Sequence, residues 1–198
     1  MGLMSGHDGA LPNPRGVKLT YDDDFVLFPD DGLRHELIDG EHYVTPSPNR
    51  KHQRVSGNIH LLIGAWLEQR PIGQLFYAPF DVVFSRFDVV EPDLLYMSNE
   101  RAATVLTAAN VQGTPELIIE IGSPGTRKRD ETIKRRLYER AGVSEYWVVD
   151  PELDVVRVYH REGETLARPV ELRTEAGDVL TTTLLSGLEL PLARVFRA

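Results

Sequence analysis

The stretch "PELIIEIGSPGTRKRDETIKRR", residues 115–136, begins as a buried strand and ends as a basic helix, and it carries one acid, Glu120, inside its apolar half. A continuous apolar run closed by Gly122 is the pattern of a strand covered on both faces. A lone carboxylate buried there is costly unless it is paired or holds a metal ion. Glu120 therefore calls for a charged partner or a metal ion.

Working outward, "EYWVVD", a turn near Pro151 and "VVRVYH" read as a hairpin. "QLFYAPFDVVF" (residues 74–84) and "VVEPDLLYM" (89–97) are β-rich and are expected to join "ELIIEIG" in a central sheet. From His52 to Glu68 the apolar residues Val55, Ile59, Leu62, Ile63 and Trp66 recur at the helical period. A second helix is expected over 127–141, with Ile133, Leu137, Tyr138 and Ala141 on one side and Gly142 as its stop. Thr20 followed by acids predicts a short helix over 20–28, and Asp39-Gly40 predicts a type I′ hairpin with Glu36 at its entrance. The segment from Glu171 to Phe196 holds shorter strands and turns without evident chemistry. The pattern predicts a tail over residues 1–16, a single domain over 17–198, and an α/β (mixed α+β) fold with a mixed central sheet flanked by helices.

With 198 residues the chain is long enough for one domain with a sizeable core. It has no cysteine, which excludes disulfides, thiolate zinc sites and cysteine nucleophiles. There is no apolar run of the ~18 residues that a membrane span needs, and a cytoplasmic protein without membrane contact is expected. The formal charge of −8 opposes coating of nucleic acid by the whole surface, so a polyanionic partner requires a local basic patch.

Asp93, directly after Pro92, and Glu120 both belong to expected central strands, and the segment between them leaves room for a connection that returns one acid to the other. Carboxylate oxygens clustered in this way suit Mg²⁺ or Mn²⁺. The plainer alternative is that Asp93 caps a turn and Glu120 pairs with a nearby arginine. Lys134 lies at the border of the buried face of the second helix, where it either reaches back toward Glu120 or snorkels to solvent. The run Arg127, Lys128 and Arg129 opens that helix beside amides that favour an anion, the alternative being a solvated face. Glu36 is a candidate third acid. His52 and Gln53 are either a helix start or a substrate contact.

Together "HELIDGE", "SPNRKHQRV", "EPDLLYMS", "ELIIEIGSPGT", "DETIKRRLYERAGVSEYWVVD" and "VVRVYH" resemble the Uma-type restriction-endonuclease family of the PD-(D/E)XK nuclease superfamily, over roughly residues 20–165. The resemblance implies a restriction-endonuclease-like core in which Pro92-Asp93 is the PD element and Glu120 the second acid. The superfamily lysine would stand at Gly122, and Lys134 matches the position that takes over its role. Glu36 matches the family's early glutamate and would complete a metal shell. The implied activity is Mg²⁺-dependent hydrolysis of DNA by a homodimer, with Arg127, Lys128, Arg129, Arg135, Arg136, His52 and Gln53 contacting the nucleic acid. Two other readings stay open: an inactive nuclease-fold module that binds DNA or protein, and a phosphohydrolase acting on small phosphoesters.

Overall fold

In the computed structural model the described residues are 10–11, 16–29, 31–45, 47–122 and 129–197. Most of the expected tail therefore lies outside them, but the backbone N–H of Leu11 donates to the His42 carbonyl at 2.7 Å.

Strands β1 (Arg34–Ile38) and β2 (Glu41–Thr45) form the first hairpin. Its turn residues Asp39 and Gly40 have φ of 54° and 74°, the left-handed pair that a type I′ turn demands. A Cβ on Gly40 would lie 2.6 Å from Cβ of Lys18, so this turn also serves as a seat for the preceding segment. The helix expected over 20–28 is only a 3-10 turn, Phe25–Leu27. Asp23 and Asp24 bond back to Thr20 and close a turn there instead of starting a longer helix.

Helix α1 (Arg50–Gln69) starts at Asn49, whose side chain accepts from the His52 N–H at 2.9 Å. It is followed by β3 (Gly73–Tyr77), β4 (Val82–Ser85), β5 (Asp88–Val90), β6 (Leu94–Ser98), α2 (Asn99–Val105), β7 (Val111–Gln112) and β8 (Leu117–Ile121). After the turn Asp130–Lys134 come α3 (Arg135–Ala141), β9 (Glu145–Asp150), β10 (Val155–Glu162), β11 (Thr165–Leu166), β12 (Val170–Arg173), β13 (Val179–Leu180), β14 (Leu190–Pro191) and α4 (Leu192–Val195).

Two sheets carry the fold. The central one runs β11-β10-β9-β8-β6-β3, with β12 also on β10, and the second runs β2-β1-β5-β4-β7. Each of the two long segments before β8 is thus split between sheets. "QLFYAPFDVVF" breaks at Pro79 into β3 and β4, and "VVEPDLLYM" breaks at Glu91-Pro92-Asp93 into β5 and β6. Proline lacks the donor that a continuous ladder requires, which is why both breaks fall at prolines.

Both faces of the central sheet are covered. Leu117, Ile119 and Ile121 of β8 pack with Val55, Ile59 and Ile63 of α1, while Ile118 points to the opposite layer with Leu137 and Tyr138 of α3 and residues of the second sheet. By the two-residue period of a strand, Glu120 shares the face of Ile118. In β6, Leu95 and Met97 belong to that same layer, and the alternation carries Asp93 there too. In β1, Ile38 faces that layer and Leu37 a third, outer cluster, so Glu36 also turns inward.

Ile63 is completely buried on α1. Ile63→Ala is expected to cost about 2–5 kcal/mol from the reduced apolar burial and the cavity left behind, read as a lower urea midpoint at unchanged slope.

Candidate active site

The β6–β8 ladder pairs Leu94 with Ile119 and Leu95 with Ile118, and one step further along the same antiparallel register sets Asp93 across from Glu120. The two carboxylates end adjacent strands on one face. Asp93 is fixed there by three donors: Arg34 Nη1 at 2.7 Å on Oδ1, and the Ile121 N–H at 2.7 Å and His52 Nε2 at 3.1 Å on Oδ2. Burial pushes its carboxyl up, but the bond to His52 and the charge of Arg34 prevail and hold it down at about 2. Asp93 is an anion at any working pH.

Glu120 is met from the following helix. Lys134 Nζ lies 2.9 Å from its Oε1, and the Tyr138 hydroxyl donates to the same oxygen at 2.6 Å. The helix contains a wide turn, Asp130–Lys134, in which the Arg135 N–H reaches the Asp130 carbonyl five residues back. Such turns re-aim side chains and recur at functional sites. Lys134 also bonds Glu36 Oε1 at 2.7 Å, so it bridges the two glutamates. Burial works to lower the lysine, yet Glu120 and Glu36 raise it, which keeps the ammonium charged. Glu36 goes the other way: burial raises it, and Lys134 and Arg129 together bring it below the usual range. Glu120 itself is pushed up, by burial and then by Asp93 and Glu36, against the pull of Lys134.

These groups line a cavity of about 210 Å³ together with Arg34, Arg129 and His52. An adjoining hollow of about 420 Å³ shares Arg34, His52 and Asp93 with it and extends past Gln53, Tyr77 and Glu91. Glu91 is buried, its Oε1 has no hydrogen bond, and burial raises its carboxyl to about 7.

Among the expected site residues, the structure brings Glu36, Asp93, Glu120, Lys134, His52 and Arg129 to one cavity and Gln53 to its extension. Arg129 is not on a solvated face. Its side chain is 3% exposed, beside Glu36 at 3.7 Å and Thr45, because a guanidinium is drawn to the surplus of buried acid. Arg135 pairs with Glu139 at 3.6 Å, Arg136 is exposed, and neither lines the cavity. Arg127 and Lys128 lie outside the described residues.

Arg34 and Tyr138 complete the site, although the sequence marks Tyr138 only as a residue of the buried helix face and does not mark Arg34. Arg34 stands two residues before Glu36 on the same strand face, and Tyr138 one helical turn after Lys134, so both spacings were open to reading.

The donor chemistry fits a hard divalent cation. Asp93 uses three of its roughly four lone-pair directions, and Glu36 Oε2 is buried without a hydrogen bond. Among the described residues no group of three or more acidic or imidazole side chains is placed to hold a metal ion by itself. Mg²⁺ does not require one, since it keeps several waters and takes one or two carboxylates plus substrate oxygens.

Residues 22–193 match the family described as "Uma2: Putative restriction endonuclease". A solved structure from Anabaena variabilis, described as "a putative nuclease belonging to DUF820", superposes with a TM-score of 0.74 at 20% identity, covering 88% of this chain and 96% of that one. No curated protein matches the chain. Among the described residues no helix is long and apolar enough to cross a membrane.

Proposed function

The chain belongs to the Uma2 family, and from that premise we propose that it is a metal-dependent endonuclease that hydrolyses DNA phosphodiester bonds. The observation that carries this reading is the end of the β6–β8 ladder, where Asp93 stands across from Glu120 and Lys134 reaches Glu120 from the next helix at 2.9 Å.

Asp93 and Glu120 would hold Mg²⁺ or Mn²⁺, with Glu36 offering Oε2, which makes no hydrogen bond and lies 3.7 Å from Arg129. When bound, the metal supplies a Lewis acid at the scissile phosphate and lowers the pKa of the attacking water. Arg34 and His52 keep Asp93 ionised and fix its orientation. Lys134 spends two of its three N–H donors on Glu36 and Glu120, which leaves one to orient the water or to meet charge developing on phosphorus. Tyr138 sets the rotamer of Glu120.

One observation favours a second reading. Lys134, Arg129 and Arg34 already oppose the three carboxylates, as they would in an inactive module that kept only the fold. The two readings separate on supercoiled plasmid and on bis(p-nitrophenyl) phosphate, each with Mg²⁺, Mn²⁺ or EDTA. Nicking of DNA that requires the metal is expected. Turnover of the small ester alone would make the protein a phosphohydrolase, and no turnover together with no heat on Mn²⁺ titration would make it the inactive module.

Cutting both strands requires two such sites, so a homodimer is expected. Light scattering should give about twice the chain mass of 22.3 kDa, and a single mass unit in the presence of DNA would argue for nicking of one strand at a time.

A further inference from the structure

Four cations stand together outside the cavity. Arg50, Lys51 and Arg54 on the first turns of α1, with Arg197 beyond α4, line a groove of about 300 Å³ floored by Val55 and Phe196. The two segments are tied by Asn58, whose side-chain amide donates to the carbonyls of Val195 and Arg197 at 2.9 and 3.0 Å. All four basic side chains belong to exposed residues. Among the described residues no carboxylate pairs with Arg50, Arg54 or Arg197, and Lys51 has only the loose contacts of Glu152 at 3.9 Å and Asp154 at 3.8 Å. Like charges gathered on one surface repel one another, and an anion seated among them relieves that repulsion.

The groove and the cavity share one helical turn. Asn49 and His52 line the cavity, Arg50 and Lys51 stand between them in sequence, and the helical period turns Arg50 and Arg54 to the other side of α1. The positive end of the helix dipole adds to the field at that point.

We propose that this groove binds the sugar–phosphate backbone of a nucleic acid, on the stretch of strand that leaves the cavity around the start of α1. It takes the place of the basic helix surface at Arg135 and Arg136, which stands away from the cavity. The direction of the strand rests on the nuclease reading above, while the binding of phosphates rests on the groove alone. Contacts of this kind position the nucleic acid and carry no sequence information.

The test is binding of a fluorescent DNA duplex in EDTA across a salt series, by wild type, Arg50→Glu/Arg54→Glu and Arg135→Glu/Arg136→Glu. Every phosphate that the protein no longer neutralises lowers the slope of log K against log salt by about 0.9, so the first variant should drop by roughly 2 in slope and about 60-fold in affinity at 0.1 M salt. The second should bind like wild type. Since all four substituted residues lie outside the core, thermal melts of both variants should match wild type.

A wild-type slope and affinity in Arg50→Glu/Arg54→Glu overturns the groove and leaves the nuclease reading standing. Charge-sensitive DNA binding by a protein that never cuts DNA with Mg²⁺ or Mn²⁺ does the reverse. Wild-type binding to phosphatidylserine vesicles with none to DNA would assign the groove to a membrane surface and also overturn the proposal.

Discussion

Glu120→Gln is expected to lower metal-dependent DNA cleavage by about 10³-fold or more, because a bound metal supplies several kcal/mol of transition-state stabilisation and each ~1.4 kcal/mol is worth tenfold. The fold should survive. Glutamine keeps the shape and an acceptor oxygen for Tyr138 and Lys134, and Lys134 remains paired with Glu36 at 2.7 Å, so no buried charge is stranded. Single-turnover cleavage and a thermal melt check the two halves separately. Wild-type cleavage in this variant would remove Glu120 from the mechanism. Asp93→Asn should lose comparable activity but also stability, since Arg34, 2.7 Å away and mostly buried, is then left without its counter-charge.

Lys134→Met should be among the most costly single changes for the fold. It takes the cation from between Glu36 and Glu120, which are nearly inaccessible, and among the described residues leaves Arg129, beside Glu36, as the one ion-pair partner of the two carboxylates. Removing one partner from a buried pair typically costs about 3–5 kcal/mol, and the same change removes the donor proposed to serve the water or the phosphate. Urea denaturation should place Lys134→Met well below wild type, and adding Glu36→Gln should recover part of the loss because one uncompensated charge is gone. Lys134→Arg restores charge without the compact three-donor head and should recover stability more than cleavage. Unchanged stability in Lys134→Met would mean that the bridge between the glutamates contributes little to the native state.

Much of the architecture was legible from short-range pattern. Helix α1, the Asp39-Gly40 hairpin, β8 and the β9–β10 pair follow from side-chain period and turn chemistry, which act within a few residues. The splitting of "VVEPDLLYM" between two sheets was less so. Pro92 marks a break, but only sheet packing decides that β5 turns away to pair with β1 and β4 while β6 stays with β8.

The site divides in the same way. That Glu120 is buried and needs a partner is a property of its strand, and that Lys134 lies near the buried side of its helix is a property of that helix. The basic residues were the least legible locally. Arg129 and Arg136 belong to one charged run, yet one is drawn inside by Glu36 and the other stays in solvent. Sequence by itself determined most of the elements, the inward faces of their residues and a buried acid in want of company. Only the tertiary structure decided the company: the β6–β8 register that sets Asp93 beside Glu120, the second sheet that delivers Glu36, and the helix that inserts Lys134 between the two glutamates. Charge pairing in a low-dielectric interior depends on distance through space, and residues 36, 93, 120 and 134 come within that distance only when the layers close.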